Sequence, residues 1–457
     1  MSETLLESSF AISGTFIHST ITSPLVILSD HCIGVISGKI VFIQKNDNKI
    51  NDVLEKYNID VGNIICLKGL QFVIPGFVDT HIHAPQYSNC GKCLDEDMLS
   101  WLHKYTFPTE AKFADLDFAT KQYWKVVSRV VKNGTTTASY FGTIHTNSTL
   151  KLCDVIQSIG QRGIVGKVNM NRNSPDYYKE NTTISVQETK RYVQEVVMRK
   201  YTLIRPCITP RYAGNCCMGL MKQLGQIARS NEIHVQTHIA ETTEECDMVR
   251  KHFPENESYL DIYNEAGLLT RKTVLAHGIY LTPEDRKLIR ERNCGISHCP
   301  NSNISIRSGM LDVRACLDDN ISVGLGTDIS GGYSPSILDA MRTAIFTSNT
   351  IALHKGPNYK PLDYQDVFRL ATLGGAKVLD MEDHIGNFEV GKAFDALLVD
   401  PCVDGGPIDV FREDTMEDII QKFIFLGDDR NILSVFVAGN DILENFVRQI
   451  SSPNDGI

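Results

Sequence analysis

Eight short apolar segments, separated by longer stretches with a helical pattern, fill the middle of this 457-residue chain. The first precedes His81, and the others fall at residues 135–140, 163–170, 202–209, 233–239, 273–277, 294–298 and 322–326. Eight strands that alternate with helices match the (β/α)8 barrel, an α/β fold whose active sites lie at the C-terminal ends of the strands. We therefore expect a TIM-like barrel with its functional residues at one rim.

The two ends of the chain have a different pattern. Residues 14–75 predict an antiparallel layer of short strands at 15–18, 25–28, 32–36 and 39–43, and short strands recur at 395–399, 435–437 and 442–443. Because the end resembles the beginning, we predict one β-sandwich subdomain assembled from both termini. The predicted organisation is residues 1–74 and 385–457 for the two halves of the sandwich, and residues 75–384 for the barrel.

Composition narrows the class of protein. With 42% hydrophobic and 22% charged residues the chain is ordinary for a globular protein, and its net charge of -10 argues against nucleic acid or an anionic membrane as a partner. We expect a small-molecule substrate. The first residues lack the basic region of a secretory signal, and the thirteen cysteines have no framework spacing. Both features predict a cytoplasmic protein with free thiols.

Two histidines one residue apart, His81 and His83, end an apolar run. Side chains alternate on a strand, so both rings point the same way and can share a metal. Later barrel strands end in, or are closely followed by, His238, His277 and Asp328, and barrel topology brings strand ends together. One strand-end histidine is more often structural, but the joint pattern favours a metal site.

The donor set of imidazoles and one carboxylate suits a divalent transition ion. Zinc is the first expectation and ferrous iron the second, because nitrogen and oxygen ligands in this mixture do not separate the two strongly. Such an ion lowers the pKa of bound water from about 16 toward about 7, so the predicted nucleophile is water.

Glu241 stands three residues after His238, close enough to lie just outside the metal ligands. A carboxyl group there can take a proton from water and pass it to a ring or a leaving amine. The alternative is an acid that stabilises the start of the following helix through the helix dipole. We favour the proton shuttle.

Gln86 and Arg211 follow the first and fourth predicted barrel strands, and both could read a planar heterocycle. An arginine fork fits two adjacent acceptors, such as N7 and O6 of guanine, whereas adenine presents an amino donor at that edge. The alternative for Arg211 is a structural ion pair at the barrel rim.

Several motifs together resemble the amidohydrolase superfamily. They are Pro-Gly-Phe-Val-Asp-Thr-His-Ile-His-Ala at 75–84, Thr-His-Ile-Ala-Glu at 237–241, Ala-His-Gly at 276–278, Ser-His-Cys-Pro-Asn-Ser-Asn at 297–303 and Gly-Leu-Gly-Thr-Asp at 324–328. More particular segments, at residues 104–108, 132–137, 371–375 and 425–430, are typical of the members that deaminate guanine. The likeness covers nearly the whole chain.

The resemblance implies hydrolytic removal of the amine at C2 of guanine, which yields xanthine and ammonia. It implies one zinc ion, since the fourth strand has no lysine that could be carboxylated to bridge two metals, and a homodimer. The implied zinc ligands are His81, His83, His238 and Asp328. His277 would orient the water, and Glu241 with Asp328 would handle protons. The implied substrate-binding set is His83, Ala84, Pro85, Gln86, Arg211, Tyr212, His238, Glu241 and Asp328.

Of three other functions, one is excluded and two stay open at this point. The cytidine-deaminase fold is excluded, because its His-x-Glu and Pro-Cys-x-x-Cys elements do not occur here. Another amidohydrolase, acting on cytosine or a triazine, would share the metal site and differ in the residues that read the base. An inactive scaffold that docks a partner through residues 454–457 is the third alternative.

A few further residues receive supporting roles. His298 and Asn301 are expected to fix a loop or orient a ligand, and Lys167 on the third strand gets the same interpretation. Residues 99–103, which include Trp101, follow the first-strand loop and are expected to help cover the pocket.

Overall fold

Sixteen strands form two separate sheets in the computed structural model, which describes residues 9–443. The barrel sheet consists of β6 (Phe77–His83), β7 (Thr135–Phe141), β8 (Arg162–Asn169), β9 (Ile204–Pro210), β10 (His234–Ile239), β11 (Thr273–His277), β12 (Gly295–His298) and β13 (Ser322–Leu325). The flanking sheet consists of β1 (Ser9–His18), β2 (Val26–Ile36), β3 (Lys39–Lys45), β4 (Ile64–Cys66), β5 (Phe72–Pro75), β14 (Ala396–Val399), β15 (Ile432–Val437) and β16 (Asn440–Asp441).

The barrel strands pair in parallel and in chain order from β6 to β13. The barrel closes between its first and last strands, where the backbone N–H of Asp328 donates to the His81 carbonyl at 2.9 Å and that of His83 donates to the Ile329 carbonyl at 3.2 Å. All eight predicted barrel strands are present, with ends that differ by at most a few residues. The prediction of a (β/α)8 barrel is therefore confirmed.

Helices cover the outside of the barrel and fill the connections. Their bounds are α1 Ile50–Lys56, α2 Met98–Trp101, α3 Phe107–Ala111, α4 Leu116–Lys132, α5 Thr146–Ile159, α6 Thr182–Met198, α7 Met218–Ser230, α8 Thr243–His252, α9 Tyr259–Glu265, α10 Pro283–Arg292, α11 Pro300–Ser305, α12 Val313–Asp318, α13 Ile337–Lys355, α14 Tyr364–Arg369, α15 Gly375–Val378 and α16 Met416–Leu426. α4 shows why they form: Asp115 caps its N-terminus, and valines three and four residues apart bury one face. Within residues 9–443, no helix is both long and apolar enough to cross a membrane.

The flanking sheet is built from both ends of the chain, as predicted. β5 pairs with β1 on one side and with β14 on the other, so the N-terminal and C-terminal parts share one hydrogen-bonded layer. The sheet curls over an apolar core in which Phe10 of β1 lies 6.1 Å, ring to ring, from Phe436 of β15. Residues 1–8 and 444–457, which include the predicted docking tail at 454–457, lie outside the described residues.

Two details of the flanking sheet differ from the prediction. The sheet is mixed rather than antiparallel, because β4 and β5 both run parallel to β1. The predicted strands at 25–28 and 32–36 are one strand, β2, which pairs with β1 on both sides of an irregularity in the register at the exposed residues 29–30. Polar residues there interrupt the apolar pattern, but the backbone ladder does not depend on side-chain polarity.

A buried ion pair joins the two sheets at the N-terminal ends of the barrel strands. Arg162 of β8 donates from Nε and Nη2 to the two carboxylate oxygens of Asp395, both at 3.0 Å. Asp395 precedes β14 and is almost fully buried. This two-pronged contact fixes the flanking sheet against the barrel at the end opposite the candidate site.

Candidate active site

The four histidines and the aspartate predicted from the strand ends lie together in the structure. His81 Nε2 and His83 Nε2 are 3.2 Å and 3.5 Å from Oδ1 of Asp328. His83 Nε2 is 3.0 Å from His238 Nε2, and His277 Nε2 is 3.6 Å from Asp328 Oδ2. One ligand atom from each of His81, His238, His277 and Asp328 falls within 4.8 Å of all the others. The prediction that barrel topology gathers these five side chains is confirmed.

Three of the rings are held through Nδ1, which leaves Nε2 directed at the centre of the cluster. The acceptors are Gln236 Oε1 at 2.6 Å for His81, the Arg211 carbonyl at 2.7 Å for His238 and Asn303 Oδ1 at 2.8 Å for His277. A carbonyl oxygen can only accept, so Nδ1 must carry the proton and Nε2 of a neutral ring a lone pair. Such outer contacts orient metal-ligating histidines in known sites.

A bound cation fits this donor set. His81 Nε2 is buried and has no hydrogen-bond partner among the described residues, although Oδ1 of Asp328 lies 3.2 Å away. With Nδ1 protonated, the His81 lone pair and the carboxylate oxygen are two acceptors that face each other, an arrangement that repels unless a positive charge lies between them. The ligand atoms therefore match a divalent metal with nitrogen and oxygen donors.

The pKa values divide these buried histidines into two groups. Desolvation and the nearby His81 hold the pKa values of His83 and His238 well below the usual range, so both rings stay neutral, the form that binds metal. For His277 burial also opposes the charge, but the carboxylates of Glu241 and Asp328 outweigh it and raise the pKa. His277 is thus the ring of this cluster best suited to carry a proton.

Glu241 directs its carboxylate toward the same cluster. Its Oε2 lies 3.6 Å from His277 Nε2, and Ser308 Oγ donates to its Oε1 at 2.9 Å. The alternative role considered for Glu241, an acid that stabilises the start of the following helix, is filled by Glu245. Glu245 forms a capping box with Thr242 at the start of α8. Glu241 is therefore left free to act in the cavity.

Three of these strand ends have strained backbone. Ala240, His277 and Asp328 have φ angles of 48°, 70° and 46°, in the left-handed region that residues with a side chain rarely adopt. Each such residue costs of the order of 1–3 kcal/mol and persists only where the surrounding structure enforces it. The strained backbone therefore lowers the stability of the fold while it holds these residues in position.

The cavity beside the cluster is lined by both residues that were predicted to bind the base. The lining comprises His83, Gln86, Met98, Trp101, Leu102, Arg211, Tyr212, His238, Glu241, Glu245, His277, Ile306, Asp328 and Gly331. Arg211 and Gln86 are both almost fully buried. Trp101 and Leu102 line the cavity, and the expectation that residues 99–103 cover it stays a prediction. Ala84 and Pro85 are buried in the turn Ala84–Asn89 and are not among the described lining residues, so their role stays a prediction.

Comparison with known proteins establishes the family. Residues 72–442 match the amidohydrolase family. The chain belongs to that family. It is 47% identical to guanine deaminase of Mus musculus over 94% of this chain and 96% of that protein. The crystal structure of guanine deaminase from C. acetobutylicum with bound guanine superposes with a TM-score of 0.88 at 34% identity, covering 95% of this chain and 100% of that one.

The fold extends to more distant amidohydrolases. A triazine hydrolase from Arthrobacter aurescens superposes with a TM-score of 0.83 over 98% of this chain and 99% of that one, at 20% identity. Identity at that level shows a shared fold alone. The resemblance predicted from the strand-end motifs is confirmed, and the similar proteins include relatives named guanine deaminase.

One important site residue of this amidohydrolase escaped the sequence analysis. Glu110 of α3 is completely buried and accepts hydrogen bonds from Gln86 Nε2 and Arg211 Nη1, each at 2.8 Å to its nearer oxygen. It lies two residues beyond the 104–108 segment, on a helix of five residues that follows no strand end. The sequence signal that could have identified Glu110 is its position between Phe107 and Phe113. A carboxylate buried in such apolar surroundings needs a cationic partner.

The residues with predicted supporting roles lie in two places. His298 at the end of β12 and Asn301 of α11 are buried, and neither has a hydrogen-bond partner for its polar side-chain atoms among the described residues. Lys167 of β8 donates to Glu180 at 2.6 Å. Their supporting roles remain predictions.

Proposed function

We propose that this chain deaminates guanine by hydrolysis, giving xanthine and ammonia, with one zinc ion per subunit. The observation that carries the proposal is that a metal-type cluster and a purine-reading pair, Gln86 and Arg211, line one buried cavity. The relatives named guanine deaminase, which match nearly the whole chain, support it further.

The proposed metal ligands are His81, His83, His238 and Asp328, which present three imidazoles and a carboxylate. A divalent zinc held there supplies Lewis acidity, which lowers the pKa of water toward neutrality. We place zinc before iron because hydrolysis demands no redox change at the metal. His277 is kept outside the ligand set because its Nε2 lies at the same distance, 3.6 Å, from Glu241 and from Asp328, where it can hold the water.

The chain's own residues then move two protons. Glu241 takes the first from the attacking water and delivers it to the ring nitrogen beside C2 as the new C–O bond forms. Asp328 takes the second from the oxygen now on C2 and passes it to the amine. The C–N bond breaks, ammonia leaves and the carbonyl of xanthine forms, so atoms and charge balance. His277 holds the water oxygen by a hydrogen bond.

Arg211 and Gln86 orient the base on the far side of the cavity. The Arg211 guanidinium can donate to the adjacent acceptors N7 and O6 of guanine, and the Gln86 amide offers both a donor and an acceptor. Tyr212 lines the same wall. Adenine carries a donor where guanine carries O6, so it would leave a buried N–H of Arg211 facing another N–H.

Ammonia release from guanine, adenine and cytosine, measured beside the metal content of the same preparation, tests the proposal. We expect release from guanine alone and close to one zinc per chain. Preference for cytosine would overturn the assignment of substrate, and full activity of metal-free protein would overturn the assignment of mechanism.

We also propose that the enzyme works as a homodimer in the cytoplasm. The resemblance to guanine-deaminating relatives supports this part of the proposal. Sedimentation velocity at the concentration used for the assay, together with cell fractionation, tests it. A monomer that retains full activity would contradict the dimer.

A further inference from the structure

Glu110 lies at the centre of a buried polar cluster that includes Gln86 and Arg211, the two residues proposed to bind the base. We call the part of the cavity surface that these two residues form the base-reading wall. Its carboxylate is completely inaccessible to solvent. It accepts from Gln86 Nε2 at 2.8 Å, from Arg211 Nη1 at 3.1 and 2.8 Å, and from the Tyr178 hydroxyl at 2.8 Å. The three donors come from separate segments of the chain, so one carboxylate links all three segments.

A buried charge of this kind is not a source of stability by itself. Removing a carboxylate and a guanidinium from water costs several kcal/mol each, and a matched apolar pair is often as stable. The Glu110–Arg211 pair is 0% and 3% exposed in its side chains, so it bears that full cost. The arrangement calls for a reason other than stability.

The geometry supplies that reason for Gln86. Its Nε2 donates to Glu110, and its Oε1 accepts the backbone N–H of Ser330 at 3.2 Å. An amide held at both ends cannot flip, because exchange of its oxygen and nitrogen would set donor against donor and acceptor against acceptor. Gln86 lines the cavity, so the second N–H and the second lone pair of its amide keep one fixed order there.

Arg211 is fixed in a similar way. Both Glu110 oxygens engage the same terminal nitrogen, Nη1, and the guanidinium carbon lies 5.3 Å from the centre of the Phe107 ring. Nε and Nη2 have no hydrogen bond to another side chain among residues 9–443, and Arg211 lines the cavity. The half of the fork that is not bound to Glu110 is therefore available for a ligand.

Charge adds a second consequence. Arg211 is always protonated, so without Glu110 it would place an uncompensated positive charge on the wall of a buried cavity. Paired with Glu110 the wall is neutral overall but still rich in directed donors. Such a wall favours an uncharged base over an anion of similar shape.

We propose that Glu110 is the positioning residue that sets base specificity, by holding Gln86 and Arg211 in one orientation and by cancelling the charge of Arg211. This inference rests on the proposed function and deepens it. Its ligand class is an uncharged oxopurine, discriminated from the more acidic product xanthine, which carries an anionic form at mildly alkaline pH.

The test compares Glu110→Gln with wild-type holoenzyme. The variant keeps an acceptor for Arg211 but not the charge. We expect zinc content and kcat to stay near wild type, the KM for guanine to rise so that kcat/KM falls by about 100-fold, and inhibition by xanthine at mildly alkaline pH to strengthen relative to guanine binding. A purely structural role would not change that last ratio.

Two companion variants keep the test decisive if Glu110→Gln does not fold. Tyr178→Phe removes one donor to Glu110 and keeps the charge, so it should raise the KM for guanine severalfold and leave the xanthine ratio unchanged. Asp395→Asn breaks the buried contact with Arg162 at the opposite end of the barrel, so it should lower thermal stability and leave the KM unchanged.

The outcomes separate the inference from the proposed function. Failure of the zinc-loaded wild type to release ammonia from guanine would refute the function itself. An active wild type with unchanged guanine KM in every folded variant of Glu110 and Tyr178 would refute the inference alone. A KM change in Asp395→Asn equal to that in Glu110→Gln would show a general effect of buried ion pairs, and would also overturn it.

Discussion

The backbone N–H of Glu241 donates to the carboxylate of Glu245 at 2.8 Å, so one acid caps the helix and the other is free. Burial and the nearby Glu241 raise the pKa of Glu245 to about 7, and Tyr259 donates to its second oxygen at 2.5 Å. Two acids four residues apart thus have different duties: Glu245 fixes the loop, and Glu241 faces His277.

That division predicts the effect of Glu241→Gln. The amide cannot accept and return a proton, so we expect turnover of guanine to fall by about 10²–10⁴-fold while the metal is retained. Ammonia release and metal analysis on the same sample measure both quantities. Glu244→Gln, at an exposed acid on the same helix start, is the matched control and should behave like wild type. Normal rates in Glu241→Gln would remove the proposed proton shuttle.

The Arg211–Glu110 pair predicts a strongly non-additive mutant cycle. Arg211→Ala should reduce kcat/KM for guanine far more than metal content, since only the backbone carbonyl of Arg211 contacts His238. Arg211→Ala leaves a buried carboxylate without its cation, and Glu110→Gln leaves a buried guanidinium without its counter-charge. Each should cost about 3–5 kcal/mol of unfolding free energy, whereas the double variant should cost much less than the sum. Denaturant unfolding of the four proteins gives the coupling. Additive losses would mean that the pair does not interact.

Metal removal should destabilise as well as inactivate the protein. A ligand that binds only the folded state at a thousandfold excess over its Kd adds about 4 kcal/mol to the unfolding free energy. Chelator-treated protein should therefore melt at a lower temperature and regain both activity and stability when zinc is added. His81→Ala should melt at the same temperature with and without zinc. A zinc-dependent shift in that variant would argue against His81 as a ligand.

Trp101 should report on occupation of the cavity. It is 4% exposed, lines the cavity and is one of two tryptophans in the chain. In Trp124→Phe the remaining emission comes from Trp101, and we expect guanine or a purine analogue to change its intensity and its access to a quencher. Trp101→Phe should lose the response. Identical quenching of Trp101 with and without ligand would show that it does not cover the site.

Two buried histidines away from the cluster predict loss of stability in acid. Burial lowers the pKa of His18 and of His234 from 6.5 to about 4. Between pH 6.5 and about 4 the unfolded chain binds protons that the folded chain does not, so the free energy of unfolding falls as the pH falls. The loss reaches about 3 kcal/mol for each residue.

Variants that keep the hydrogen bonds but cannot titrate should reduce this dependence. Asn at position 18 preserves the acceptor that His18 Nδ1 offers to the Phe388 N–H, and Gln at position 234 preserves the donor to the Leu379 carbonyl. We expect His18→Asn with His234→Gln to show a shallower fall in unfolding free energy between pH 6.5 and 4. His354→Asn, at an exposed position, should keep the wild-type slope.

The strand ends were predictable because the signal there is local. An apolar run followed by a polar residue marks both the strand and its end, so His81, His238 and His277 could be placed without coordinates. Glu110 could not, since its partner Arg211 lies 101 positions away and the helix that carries it has no repeated relation to a barrel strand. Contacts of that kind depend on packing between loops.

The flanking sheet shows the other limit. Its strands were recognised from alternation, but whether β5 runs parallel or antiparallel to β1 depends on the path of the chain between them. No side-chain pattern encodes that path. The same limit applies to Ala84 and Pro85, whose position in the motif does not reveal whether they reach the cavity.

Closure of the barrel also has a consequence for how the enzyme is made. Thr327 donates to Asp79 from its backbone N–H at 3.1 Å and from its hydroxyl at 2.5 Å, across 248 positions of sequence. Loop-closure entropy delays contacts of such long range until late in folding. Asp328 also follows the eighth strand in the sequence, so a growing polypeptide can complete the predicted metal site only after nearly the whole barrel has been synthesised.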